Sequence, residues 1–196
     1  MPQRDIRIQQ TAPSLRRRTV LTMAGTLMAA LAGRKPLRAA TVDDAPVAPW
    51  QIAVHAPQIL PTLTFTDSSG DERDLISFRG QPAILHLWAT WCGPCVTELP
   101  ALAALAPSLQ KSGIVVIPVA VDHLGPQKVP PFLARLNLRD FTSFYDTRAG
   151  ISAALEEQSL PFTLLLNHDM QEVGRHAGPV RWDDPDAVAS LRRLLA

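Results

Sequence analysis

The chain has 196 residues, 46% of them hydrophobic, with 19 Lys/Arg against 18 Asp/Glu and two cysteines. That is long enough for one domain of ordinary size with its own core, so the fold need not depend on a disulfide. The near-zero net charge averages a basic start, eight Lys/Arg against one acid in residues 1–40, with an acidic remainder, eleven against seventeen in residues 41–196, and no nucleic-acid partner is expected.

The basic start reads SLRRRTVLTMAGTLMAALAGRKPLRAA: an arginine cluster (Arg16, Arg17, Arg18), an apolar run from Val20 to Ala32, then small residues. This is the n-, h- and c-region order of an export signal. The run of 13 residues is too short to cross a hydrocarbon layer of roughly 30 Å, which takes about 20 residues of helix, so a permanent anchor is disfavoured. Arg17-Arg18 followed by Thr19, Val20 and Leu21 resembles a twin-arginine signal, with Sec export as the alternative. Residues 1–40 are therefore predicted to direct export to the periplasm or another extracytoplasmic compartment, with cleavage after Ala32 or Ala40.

Residues 41–56 are proline-rich without a sustained period and are predicted to be a tether, leaving residues 57–196 as the domain. TLTFTD, a turn at SSGD and ERDLISFRG predict a strand hairpin ahead of the main fold. PAILHLWAT is an apolar run of strand length, expected to be buried on both faces. CVTELPALAALAPSLQ carries a helical stripe of Leu99, Leu102, Leu105 and Leu109, with Pro100 near its first turns. GIVVIPVAVD predicts a second buried strand, VPPFLARLNL a helix opened by its prolines, FTSFYD a short strand or turn, and ISAALEEQ a further helix. PFTLLLNHDMQEVGRH predicts two strands about a turn at His168-Asp169. DDPDAVASLRRLLA opens with acids and closes with arginines, as a capped helix does.

Both cysteines lie in ATWCGPCVTELP, at the junction of the first apolar strand and its helix. A cysteine attacks as thiolate, and the unpaired N–H groups and partial positive charge of a helix N-terminus favour that form. Cys92 holds that position and is the expected attacking thiol. Cys95, one turn on, is placed to attack the mixed disulfide that Cys92 forms with a partner. A purely structural bridge would close only a four-residue loop and remove little chain entropy.

WCGPC after an apolar strand, followed by a helix and later by SLPFTLLLN, resembles the thioredoxin fold. LHLWATWCGPCVTELP, with Trp88, Trp91, Glu98 and Pro100, is similar to its exported TlpA/ResA/CcmG-like branch. The resemblance implies an α/β fold with a central mixed sheet flanked by helices, carrying the hairpin as an N-terminal extension. It implies a thiol–disulfide oxidoreductase that needs no cofactor. Pro161 matches the cis-proline that faces the dithiol, where the backbone of its neighbour Leu160 pairs with substrate. Glu98 matches an acid that tunes or relays protons, the other reading being a first-turn glutamate that only favours the helix dipole. Trp91, Gly93 and Pro94 complete the expected client-binding rim. Gly-Pro between the cysteines, as in thioredoxin, points to a reductant. The partners implied are exported proteins with disulfides, such as apocytochromes c or copper-site assembly factors, and a membrane thiol electron donor, with the protein itself monomeric.

His86 departs from that family, in which an Asp or Asn stands six residues before the first cysteine. It is either a hydrogen-bonded core residue or an acceptor for the proton released by Cys95. His55, His123, His168 and His176 show no ligand spacing, and zinc would want four ligands where two are clustered, so no metal site is expected. A copper or client chaperone using the same surface without redox turnover is the alternative function.

Overall fold

The computed structural model describes residues 52–195. The expected export signal of residues 1–40 and residues 41–51 of the expected tether lie outside the described residues.

In chain order the elements are β1 (Ala53–Gln58), β2 (Thr64–Thr66), β3 (Glu72–Asp74), β4 (Ala83–Trp88), α1 (Gly93–Lys111), β5 (Val115–Ala120), α2 (Gly125–Arg135), β6 (Phe144–Tyr145), α3 (Gly150–Ala154), β7 (Phe162–Leu166), β8 (Glu172–Ala177) and α4 (Pro185–Leu195). The eight strands form one mixed sheet in the order β1-β8-β7-β4-β5-β6-β2-β3. β4 lies inside it, parallel to β5 and antiparallel to β7. Among the described residues no helix is long and apolar enough to cross a membrane.

All six residues of β4 are buried, as its unbroken apolar run requires of a strand covered on both faces. Alternation along the strand divides them. Ala83, Leu85 and Leu87 join Leu63, Phe65, Phe162, Leu164 and Ile151 in one core layer. Ile84 belongs to the opposite layer, with Leu102 and Leu109 of α1 and Leu191 and Leu195 of α4. Each such Leu, Ile or Phe side chain, fully withdrawn from water, contributes roughly 1.5–3 kcal/mol to folding before conformational entropy is set against it.

Pro100 and Pro107 lie inside α1 yet on its exposed side. The carbonyls that lose an N–H partner there can turn to water, so the helix continues through both prolines. At the far end of the chain, Asp184 accepts the N–H groups of Asp186 and Ala187 and Arg192 and Arg193 occupy the last turn, as the acid-to-basic order of the sequence predicts for α4.

Two local expectations are corrected. The tether gives way to sheet at Ala53, since β1 pairs antiparallel with β8 and Ala53–Ala56 belong to the strand. β1 is an edge strand with mostly exposed side chains, so no apolar alternation marks it. Ile52 crosses β8 so closely that a Cβ at Gly174 would meet its Cγ2 at 2.7 Å. The helix expected to open at Pro130-Pro131 instead opens at Gly125, with Pro126 in its first turn. Its start is set by packing: a Cβ on Gly125 would fall 2.8 Å from the Tyr145 ring.

The expected hairpin is present. Asp67 fixes its turn by accepting the N–H groups of Ser69 and Asp71, and β2 joins the sheet through β6.

Candidate active site

β4 carries the chain into the site at its C-terminal end. Trp88 is buried there and its indole N–H donates to Ser143 Oγ at 3.1 Å, while its carbonyl accepts the N–H of Val121. The next residues are held from β5's side. The Thr90 N–H and hydroxyl donate to the two carboxylate oxygens of Asp122 at 2.8 and 2.6 Å, and Lys128 Nζ lies 3.1 Å from Asp122 Oδ1. Asp122 is buried, so its charge is met by these donors rather than by water.

Cys92 is the N-cap of α1 and is disulfide-bonded to Cys95. Its Sγ accepts the Cys95 N–H at 3.3 Å. The two sulfurs differ in access: Cys92 is 6% exposed and Cys95 0%. Trp91 stands out at 66% exposure, Gly93 and Pro94 are exposed, and a Cβ on Gly93 would meet nothing within 4 Å. The surface over the dithiol is therefore open.

Leu160 packs against the cluster that contains Cys92, Cys95 and Trp88. The Leu160–Pro161 bond is cis, and the Pro161 carbonyl accepts the N–H of Gly178 at 2.9 Å. The structure thus assembles Trp91, Cys92, Gly93, Pro94, Cys95 and the Leu160-Pro161 turn at one end of the sheet.

Glu98 lies in the next turn of α1 and is buried. Its Oε2 accepts the Val180 N–H at 2.6 Å. Its Oε1 approaches His86 Nε2 to 3.3 Å without the alignment of a hydrogen bond. His86 is 0% exposed, shares a 3.1 Å hydrogen bond between Nδ1 and Thr163 Oγ1, and meets the Trp182 ring edge-on at 5.7 Å between centroids.

Asp122, Lys128 and Thr163 have no counterpart among the sequence-predicted site residues. The one signal was an aspartate just past the end of a buried parallel strand, where functional groups gather in α/β sheets. Of the remaining histidines, His55 lies on β1, where its Nε2–H donates to buried Glu172 Oε1 at 2.8 Å beside Arg175. Among the described residues no group of three or more His, Cys, Asp or Glu side chains could hold a metal.

The fold and the site define a thioredoxin-fold protein with a Cys-X-X-Cys centre. Residues 56–178 match the AhpC/TSA family, and the chain belongs to it. Over 116 residues it is 32% identical to the thiol-disulfide oxidoreductase ResA of Geobacillus kaustophilus, a match covering 59% of this chain and 65% of that protein. The chain thus spans just under two thirds of that relative's length. The thioredoxin-like protein YneN of Bacillus subtilis is 27% identical over 124 residues, 60% of this chain and 68% of that one. Two solved structures share the fold: a secreted thiol-disulfide isomerase from Corynebacterium glutamicum (TM-score 0.60, 22% identity, 76% of this chain and 95% of that one) and StoA from Bacillus subtilis (TM-score 0.55, 21% identity, 70% and 98%).

Proposed function

We propose that the protein is an extracytoplasmic thiol–disulfide oxidoreductase that reduces disulfides in other exported proteins. The observation that carries this reading is the unequal access of two bonded cysteines at one helix N-terminus, beside a buried carboxylate.

In the reduced protein the Cys92 thiolate attacks one sulfur of a client disulfide, and the other client sulfur leaves as thiolate. Cys95 then loses its proton and attacks Cys92 Sγ. The Cys92–Cys95 disulfide forms, the client leaves fully reduced, and two electrons have passed to it. Glu98 is the acceptor for the Cys95 proton, because it is the carboxylate one turn below Cys95. Trp91, Gly93, Pro94 and Leu160-Pro161 form the client rim. A membrane thiol donor restores the dithiol. Apocytochromes c and copper-site assembly factors are the client classes to which the family likeness points.

Trapping tests the reading. A Cys95→Ala variant of the full chain, expressed in its host compartment, should accumulate mixed disulfides with exported proteins that reductant releases. Stoichiometric retention of copper by the wild-type protein, with no disulfide reduction, would instead support the chaperone function. Export itself is tested by Arg17→Lys/Arg18→Lys, which should leave the protein in the cytoplasm if the twin-arginine route is used.

A further inference from the structure

We infer that His86, Thr163 and His176 form a proton route that leads from Glu98, under the dithiol, across three strands to the β8 side of the sheet. The inference rests on the reading of Cys95 as the resolving thiol and Glu98 as its base.

The route answers a problem posed by burial. Each resolving step leaves a proton on a carboxylate whose Oε1 is buried and whose Oε2 is already occupied by the Val180 N–H. The elements packed around His86 present Glu98 from α1, Thr163 from β7, Pro118 from β5 and Trp182 from the segment before α4. Of these, Glu98 is the one titratable group. His86 Nε2 and Glu98 Oε1 face each other across 3.3 Å, each with an open hydrogen-bonding position. One proton placed between them serves both. On the other side of the ring, Nδ1 is already bonded to the Thr163 hydroxyl.

Strand register carries the row onward. His86 is opposite Thr163 on β7, and Thr163 is opposite His176 on β8, so the three side chains share one face. Directly opposed residues on antiparallel strands have Cβ atoms about 4.5–5.5 Å apart, within reach of an imidazole. Thr163 is buried, whereas His176 is half-buried and its Nε2–H donates to the carbonyl of exposed Pro179 at 3.4 Å. The row therefore runs from a closed interior to a solvent-facing loop.

The transfer balances at each atom. Glu98 gives its proton to His86 Nε2, His86 releases Nδ1–H to Thr163 Oγ1, and the hydroxyl proton passes to His176, whose half-buried imidazole can exchange protons with water. Glu98 returns to carboxylate, and His86, Thr163 and His176 return to their starting forms once the ring protons re-equilibrate.

The test uses the full reduced chain mixed with 5,5′-dithiobis(2-nitrobenzoate). Attack by Cys92 releases one coloured thiolate, and resolution by Cys95 releases the second, so both steps are timed by absorbance. Thr163→Val, which keeps the shape and removes the hydroxyl, should leave the first release unchanged and slow the second at least tenfold. Thr163→Ser should restore it, and His176→Gln should slow the second release while leaving the first unchanged. Second releases at the wild-type rate in both Thr163→Val and His176→Gln overturn the route. So does equal slowing of both releases, or failure of Thr163→Ser to restore the second, since either is what a packing role would give. Glu98→Gln separates the two levels: a slow second release there, with Thr163→Val unaffected, removes the route and leaves the base in place.

Discussion

The Glu98 carboxylate accepts the Val180 amide at 2.6 Å, which ties the first turns of the dithiol helix to the segment after β8. The same side chain thus holds two elements together and lies one turn along α1 from Cys95, the thiol proposed to resolve the mixed disulfide.

These two duties separate by substitution. Glu98→Gln keeps an acceptor for Val180 and removes the base, so it should fold with near wild-type stability and resolve mixed disulfides 10²–10⁴-fold more slowly, the usual range for a lost general base. Glu98→Ala also leaves a buried N–H without a partner, which costs about 1–3 kcal/mol. Urea unfolding of the two variants, alongside stopped-flow rates, checks the division. Equal stability loss in both would show that charge rather than acceptance holds Val180.

Asp122 should prove a positioning residue for the loop that carries Trp91 and Cys92. Asp122→Ala leaves the Thr90 N–H and hydroxyl without their acceptor and should cost on the order of 1–3 kcal/mol, with a changed rate of Cys92 alkylation. Lys128 is half exposed, so its ion pair is screened and Lys128→Ala should cost no more than about 1 kcal/mol. A larger loss for Lys128→Ala than for Asp122→Ala would contradict this order.

The sheet and helices around the dithiol were legible because their apolar residues repeat at strand or helix spacing. β4 is the clear case, six buried residues read directly from AILHLW. β1 was missed because an exposed edge strand is held by backbone pairing and by the half-buried His55–Glu172 pair, neither of which leaves a periodic trace. The start of α2 was misplaced because Pro130-Pro131 looked like an opening, while the deciding contact, Gly125 against Tyr145, joins residues 20 apart in sequence. Cys92 and Cys95 stand out by their spacing at a strand-to-helix junction, and Glu98 through the family resemblance. Asp122 and Thr163 do not, since each acquires its site partner only when distant strands align.

β1 should show a bounded pH range of docking. The His55 imidazole is held above its ordinary 6.5 first by its bond to the Ala56 carbonyl and then by Glu172. Burial pushes Glu172 up, but its bonds to Arg175 and His55 outweigh that and leave it below its ordinary 4.5. For His55 the raised value means stabilisation that is full below the unfolded value and lost as pH rises through the folded one. For Glu172 the lowered value means stabilisation present above the unfolded value and lost as pH falls through the folded one. The latch should therefore be tightest between about pH 4.5 and 6.5. Amide exchange protection over residues 53–58, corrected for intrinsic rates, should fall on either side of that window. His55→Gln should remove the alkaline limb and leave the acid one.

The last expectation concerns which sulfur reacts first. In the oxidised protein the Cys92 sulfur is the N-cap acceptor of α1, with the Cys95 N–H at 3.3 Å. When the bond is reduced, that amide and the partial positive charge of the helix terminus remain, and both favour the thiolate of Cys92 over its thiol. Cys95 has no such access: it is fully buried, which disfavours its charged form and keeps reagents away. Iodoacetamide should therefore label Cys92 at neutral pH, with half-maximal rate below the pH at which free cysteine reaches it, while Cys95 stays unlabelled until the protein unfolds. Mass spectrometry of the labelled peptide distinguishes the two positions, and Cys95→Ala should leave the Cys92 profile in the same range. Equal and slow labelling of both cysteines near neutrality would remove the asymmetry on which the order of attack depends.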